Sequence, residues 1–230
     1  MCGRFGSFVS AEDLAAIFQL EAVPPLEPRY NIAPGQPVAV VRPAPDRRGR
    51  EMVLLAWGLI PGWAKDIRLG ARLINARAES AVKKPAFRAA LKRRRALVPA
   101  DGFYEWAKGD RKNRPFWFRV KGGRSFAFAG LWEHWQGRDG EEIESCAILT
   151  TTANELVQKI HDRMPVILDS EDYASWLEGE EENLEKKLAL LRPYPAGEME
   201  SWPVSSYVNN IRHEGPHCLE PLKEGQMSLL

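Results

Sequence analysis

The stretch PFWFRVKGGRSFAFAGLW, residues 115–132, decides the reading of the fold. Aromatic residues recur on both arms around Gly122-Gly123, with polar or small residues between them. A period of two sends alternate side chains to opposite faces of a strand, and paired glycines supply the backbone freedom of a tight turn. The stretch is therefore expected to be a β-hairpin with one buried face. Upstream, ALVPADGFYEW (96–106) reads as extended with a turn at Asp101-Gly102, and PVAVVR (37–42) and MVLLAWG (52–58) as strands on either side of a polar connection. Downstream, ESCAILTT (144–151), MPVIL (164–168) and SWPVSSYV (201–208) continue the pattern.

Helices are few and scattered. Ser10 with Asp13 three residues on resembles a capping box, and Leu14, Ile17 and Phe18 then share a helical face. Pro85 opens a short basic helix with Phe87, Ala90 and Leu91 on one side, ANELVQKI (153–160) reads as a short helix, and two acidic helical segments follow near Ser170–Glu178 and Glu180–Leu191. PPLEPRYNIAPGQP (24–37) is a Pro-rich loop. No repeat and no clean linker divides the chain. The expectation is one α+β domain over residues 1–230, with a mostly antiparallel, barrel-like β core and peripheral helices.

At 230 residues the chain is long enough to bury a real core, and 44% hydrophobic with 27% charged residues is a globular composition. No apolar run approaches the roughly 18 residues of a membrane span, so no membrane is expected as partner. The first twenty residues lack a basic region followed by a long apolar stretch, so no secretory signal is expected. Cys2, Cys146 and Cys218 are too widely spaced for a disulfide framework, which points to a reducing, cytoplasmic setting. The net charge of +1 hides an asymmetry: from Lys65 to Arg95 eleven Lys or Arg face two acids. Such a stretch reads either as a groove for a polyanion or as a solvated helix face.

Several residues could carry chemistry. Cys2 directly follows Met1, so trimming of Met1 would leave a thiol and a free α-amine on one residue, a 1,2-aminothiol; the plainer alternative is an ordinary residue in a frayed terminus. In RLINARAES (72–80), Asn75 and Arg77 alternate around Ala76 and so share one face of a strand. Glu105 sits among Phe103, Tyr104 and Trp106; partial desolvation there favours the protonated acid and suits acid–base work, although pairing with an Arg such as Arg77 is the alternative. His161 lies where a helix gives way to a strand, with Arg163 two residues on, and reads as a structural residue or a proton carrier. His213 and His217 are separated by Gly215 and Pro216, which prevents helical alignment, and no phosphate loop or dinucleotide fingerprint is present. No metal and no cofactor is expected.

Taken together, MCGRF, RYNIAPGQ, WGLIPGW, NARAES, FRAALKRRRALVPADGFYEW, FAGLW, ILTTTAN, HDRMPVIL and PVSSYVN resemble the SRAP family, the SOS-response-associated peptidase domain, in the family's own order from residue 1 to about 210. Ser80 stands where the family often has Thr, and Ala96 where it often has Cys. The resemblance implies a sensor and shield of abasic sites in single-stranded DNA, which cross-links to them through the amine and thiol of Cys2 as a thiazolidine once Met1 is removed. It implies an enzyme with lyase-like Schiff-base chemistry and peptidase-type removal of Met1. By the same resemblance Glu105 moves protons, His161 helps open the sugar, Asn75 positions it, and Arg77 pairs with a flanking phosphate. Arg4 and Arg163 are further phosphate ligands, Thr150 a polar contact, and Pro34 and Trp63 wedge against bases beside the lesion; core packing is the alternative for Trp63. A monomer is expected, cytoplasmic and nucleoid-associated when on DNA. The rivals are an N-terminal-cysteine amidotransferase or amidohydrolase, against which the absence of any Asn-Gly pair weighs, and a non-covalent single-strand binder.

Overall fold

The computed structural model describes residues 2–46, 48–107, 114–178 and 184–222; Met1 and the start of the expected helix Glu180–Leu191 (180–183) lie outside the described residues. Strand β1 (Phe5–Ser7) leads into helix α1 (Ala11–Phe18), followed by β2 (Arg29–Ile32), β3 (Pro37–Pro43), β4 (Arg50–Trp57) and β5 (Asn75–Arg77). Helices α2 (Ala78–Ala81) and α3 (Arg88–Arg93) precede β6 (Arg95–Ala100), β7 (Gly102–Ala107), β8 (Arg114–Val120), β9 (Phe126–Gln136) and β10 (Glu142–Thr152). Then come β11 (Arg163–Pro165), β12 (Ile167–Leu168), α4 (Tyr173–Leu177), α5 (Leu184–Ala189) and β13 (Met199–Pro203).

Two sheets result. One is antiparallel, in the order β13-β8-β7-β1-β2. In the other, β10-β4-β3-β6-β9 returns to β10 and closes a five-stranded barrel, with β5, β11 and β12 attached. The pairings of β10 with β4 and β5 are parallel, the rest antiparallel. Closure needs β9 to serve two neighbours, and it does so at Gly130, opposite Ala96 of β6 and Ile148 of β10, and at Leu131, opposite Arg95 and Ala147. A Cβ at Gly130 would lie 3.0 Å from Val98 and 3.3 Å from the Ala96 carbonyl, so the residue lets the strands approach.

The barrel strands are buried on both sides. Val38, Val40, Ala96, Val98, Phe126, Phe128, Cys146 and Ile148 join Phe5, Phe103 and Phe118 in a core between barrel and sheet. Their sequence neighbours Val41, Leu97, Ala127, Ala129, Ala147 and Leu149 pack against Leu14 and Phe18 of α1 and Tyr173, Trp176 and Leu177 of α4. This is the period of two expressed in three dimensions. Ser10 caps α1 as expected, accepting the Asp13 N–H at 3.1 Å.

Residues 115–132 form two strands, but not a hairpin. β8 pairs with β7 and β13, β9 with β6, β10 and β12, and Gly122 and Gly123, at φ 76° and 67°, carry the chain from one sheet to the other. Phe118 and Val120 then face Phe126 and Phe128 across the core instead of lying beside them. Asp101-Gly102 is a similar corner between β6 and β7. The Asp101 carboxylate ties both corners to the end of β1: it accepts the Phe8 and Val9 N–H groups at 2.6 and 3.1 Å and the Ser125 hydroxyl.

Three smaller expectations change. ANELVQKI closes into a single tight turn at Val157–Lys159, because the Asn154 side chain accepts the Leu156 and Val157 N–H groups and offers the backbone an alternative to a longer helix. MPVIL splits at Val166, whose N–H donates to Leu149 and whose carbonyl accepts from Ala129, bridging β10 and β9. The last strand ends at Pro203, and Ser206–Asn209 turns away.

Candidate active site at the N-terminal overhang

Residues 2–4 precede the first strand, so no sheet ladder of their own holds them, and three separate clamps fix their path. The Asn75 Nδ2 donates to the Cys2 carbonyl at 2.7 Å, the Tyr104 N–H donates to the Arg4 carbonyl at 2.9 Å, and the Arg4 side chain is anchored on the far side of the sheet. The Cys2 side chain is fully buried at the edge of the central core. Burial pushes its thiol well above the usual cysteine range, the Glu105 charge adds to this, and the Arg4 N–H opposes it by bonding to the sulfur.

Glu105 reaches the overhang because β7 runs antiparallel to β1. Phe5 pairs with Phe103, and the same register continued places Glu105 opposite Gly3. The residue is 3% exposed, and burial, assisted by the Asp162 charge, pushes its pKa up to about 7. The desolvation expected from its aromatic neighbours is therefore present, and the shift sets the group near the midpoint of its titration at neutral pH.

Asn75 and Arg77 arrive on β5, in parallel register with Ile148 and Thr150, and Ala76 between them is buried in the core. Asn75 Oδ1 is buried without a hydrogen-bond partner among the described residues, while Arg77 is exposed. His161 sits at the turn between β10 and β11, which the Ala153 N–H closes by donating to the Asp162 carbonyl. Its Nδ1 lies 3.0 Å from both the Arg163 backbone nitrogen and the Asp162 carboxylate, and these two contacts fix the ring by that edge. The influence of Asp162 on Glu105 brings this turn towards the same site.

Three residues expected to meet DNA have partners within the protein or are buried. Arg4, one step out of phase with Phe5, points through the sheet: it donates to Asn31 Oδ1 at 2.6 Å and to the Val208 carbonyl at 2.9 Å and lies over Trp106. Arg163 is buried, with its guanidinium paired to both oxygens of Glu79 at 2.7 and 3.0 Å and donating to the Thr150 carbonyl at 2.6 Å. Thr150 is fully buried. These contacts commit the side chains of all three within the fold, which sequence adjacency does not reveal. Pro34 is exposed in a turn stabilised by the Gly35 N–H on the Trp57 carbonyl.

Trp63 is 62% exposed, the largest outward-facing aromatic surface among the described residues. Its loop is nevertheless fixed: Ile60 N–H donates to Ser145, Ala64 N–H to Pro61, and the Trp135 indole to the Ala64 carbonyl. An open groove of about 670 Å³ beside it is lined by Lys65, Arg68, Leu69 and Arg72. Lys65 and Arg72 belong to the basic stretch 65–95, whose one-sided charge is the sequence signal for this groove. Among the described residues no group of three or more His, Cys, Asp or Glu gathers as a metal site; His213 stacks on Tyr207, and His217 pairs with Glu220. No helix of the described residues is long and apolar enough to cross a membrane.

A model of the SOS response associated peptidase (SRAP) family matches residues 1–211. The chain is 41% identical over 224 residues to the abasic site processing protein YoqW of Bacillus subtilis (strain 168), covering 96% of this chain and 99% of that one. It is 31% identical to the abasic site processing protein YedK of Escherichia coli (strain K12), over 96% of this chain and 100% of YedK. A solved protein from Bacteroides thetaiotaomicron shares the fold with a TM-score of 0.82 at 24% identity, over 96% of this chain and 100% of that one.

Proposed function

The chain belongs to the SOS response associated peptidase family, and from that premise we propose that it processes abasic sites in single-stranded DNA by covalent capture through Cys2. The observation that carries this reading is the meeting of Cys2, Asn75 and Glu105: an anchored terminal aminothiol precursor beside a carboxyl that titrates near neutrality. Hydrolysis of the Met1–Cys2 bond consumes one water and frees the α-amine, whose ordinary pKa of about 7.7–8.0 leaves a useful fraction unprotonated at neutral pH. The amine adds to the open aldehyde of the abasic sugar, the carbinolamine loses water to an imine, and the thiol adds across the C=N bond. The product is a thiazolidine, and the capture step releases one water overall.

Glu105 in its acid form donates a proton to the departing hydroxyl, and as carboxylate it takes the proton from the thiol. One residue serves both steps because about half of it is charged near pH 7. His161 gives a proton to the sugar ring oxygen when the hemiacetal opens. Asn75 fixes the Cys2 carbonyl with its amide donor, and its buried Oδ1 is an acceptor for the sugar. Arg77 supplies phosphate contact, which positions the strand without reading its sequence. Trp63 and Pro34 act as a platform beside the lesion. A free thiol of this kind suits a reducing compartment.

The test is intact mass before and after incubation with a single-stranded oligonucleotide bearing one abasic site. The expected result is a protein lacking Met1 and a denaturation-resistant adduct weighing protein plus oligonucleotide minus one water. Absence of any adduct from protein with a free Cys2 amine would overturn the reading.

The platform has its own measurement. Trp63→Ala weakens non-covalent binding of single strands by about 1–3 kcal/mol, the scale of one base stacked on an aromatic ring. Fluorescence anisotropy with Cys2→Ala protein isolates this step from cross-linking. Equal loss on strands of different sequence is expected, and unchanged affinity would return Trp63 to a surface without a DNA role.

A further inference from the structure

Asn31 is fully buried in β2 and uses both ends of its amide at a distance in sequence. Its Oδ1 accepts from Arg4, while its Nδ2 faces the carbonyls of Val208, Asn210 and His213 at 3.2, 3.0 and 2.8 Å. The Arg4 guanidinium reaches the Val208 carbonyl as well. One amide thus joins the N-terminal overhang to a strap of chain near the C-terminus, and the strap's last anchor lies beyond residue 211, where the family match ends.

The consequence for Cys2 runs through Arg4. The Arg4 carbonyl is held by the N–H of Tyr104, the residue before Glu105, and its own N–H bonds to the Cys2 sulfur. With Gly3 as the only residue between, the position of Arg4 sets how far Cys2 can swing relative to Glu105. Two of the three clamps on the overhang lie on backbone atoms near the site; the third is the Arg4 side chain, and Asn31 is its hub. We infer that Asn31 is a positioning residue for the chemistry of Cys2, acting through Arg4 and the strap at residues 208–213. The kinetic part of this inference rests on the proposed capture reaction; the positional part does not.

Single-turnover cross-linking at saturating protein reads the kinetic part. Asn31→Ala and Arg4→Met each slow the rate constant by about tenfold or more, since misplacing a reacting group by about 1 Å costs up to a hundredfold. The double variant is no slower than the slower single variant, because both remove one clamp. Non-covalent affinity for an intact single strand stays within about twofold, and adduct yield is preserved, whereas a merely destabilised protein would lose yield at an unchanged rate constant. Alkylation of Cys2 by iodoacetamide without DNA, mapped by peptide mass, reads the positional part and is expected to quicken by a similar factor as the overhang loosens. A folded Asn31→Ala that cross-links and alkylates at the wild-type rates overturns the inference, as does a double variant whose losses multiply. If Asn31→Ala does not fold, wild-type rates in Arg4→Met overturn it equally. If wild-type protein gives no adduct, the capture reaction fails, and the alkylation rates alone then uphold or overturn the positioning role.

Discussion

Cys2→Ala protein, incubated with a single strand bearing one abasic site, is expected to yield no adduct that survives denaturation. Alanine at position 2 still permits removal of Met1, so the variant retains a free α-amine and can still condense with the aldehyde. What it lacks is the sulfur that removes the imine. The imine hydrolyses, or it undergoes β-elimination and the strand breaks. Borohydride added during the reaction therefore traps an amine-linked product from Cys2→Ala, while the untreated sample shows free protein and cleaved DNA on a denaturing gel. The loss is essentially complete because ring closure is intramolecular and has no external substitute at comparable effective concentration. Burial of the Cys2 thiol holds it protonated at neutral pH, so the sulfur is a latent partner released only when Glu105 is placed to take its proton. A stable adduct from Cys2→Ala without borohydride would mean that another nucleophile captures the sugar.

Glu105→Gln has the second largest effect. Loss of one positioned acid–base group slows cross-linking by about 10²–10⁴-fold and removes the inflection near pH 7 from the rate profile. The same substitution alters stability with a defined sign. The Glu105 pKa rises from an ordinary 4.5 to about 7 on folding, so between these values the folded protein holds a proton that the unfolded chain has released. Stability from this group is thus fully present below about pH 4.5, falls as pH rises towards 7, and stays low above it. At about 1.4 kcal/mol per pH unit the total is of order 3 kcal/mol. Glu105→Gln carries no such charge and is expected to be more stable than wild type at pH 8, the two converging at pH 4.5. Urea unfolding at the two pH values measures this. A variant faster than wild type, or less stable at pH 8, would contradict the assignment of Glu105 as a desolvated carboxyl serving catalysis.

These two expectations differ in where they come from. The aminothiol is a covalent property of the first two residues, visible before any folding is considered. The desolvation of Glu105 was foreshadowed by its aromatic neighbours, but its nearness to Cys2 depends on the pairing of β1 with β7 across nearly a hundred residues. Asn31 illustrates the limit from the other side. Its four partners lie 27 to 182 residues away, and nothing in RYNIAPGQ distinguishes it from a loop asparagine that faces water.

The sequence by itself marked most of the strands, though not β1 or β2, the latter inside the stretch read as a Pro-rich loop, together with the Ser10 cap of helix α1 and, through motifs in fixed order, the family. Those are local properties, set by a period of two, a cap, or residue identity. Only the tertiary structure decided which strands are neighbours. Alternation in residues 115–132 records a buried face and is the same whether β8 and β9 share an edge or stack across a core, and the second arrangement is the one that puts Phe118, Phe126 and Phe128 in one core from two different sheets. It likewise decided that Arg77 stays open to solvent while Arg4 and Arg163 turn inward. Each follows from which face of its segment carries the residue and what lies beneath it: for Arg4 the Asn31 amide, for Arg163 the Glu79 carboxylate. Charge is written in the sequence, but its availability depends on the partners that folding brings within hydrogen-bond reach.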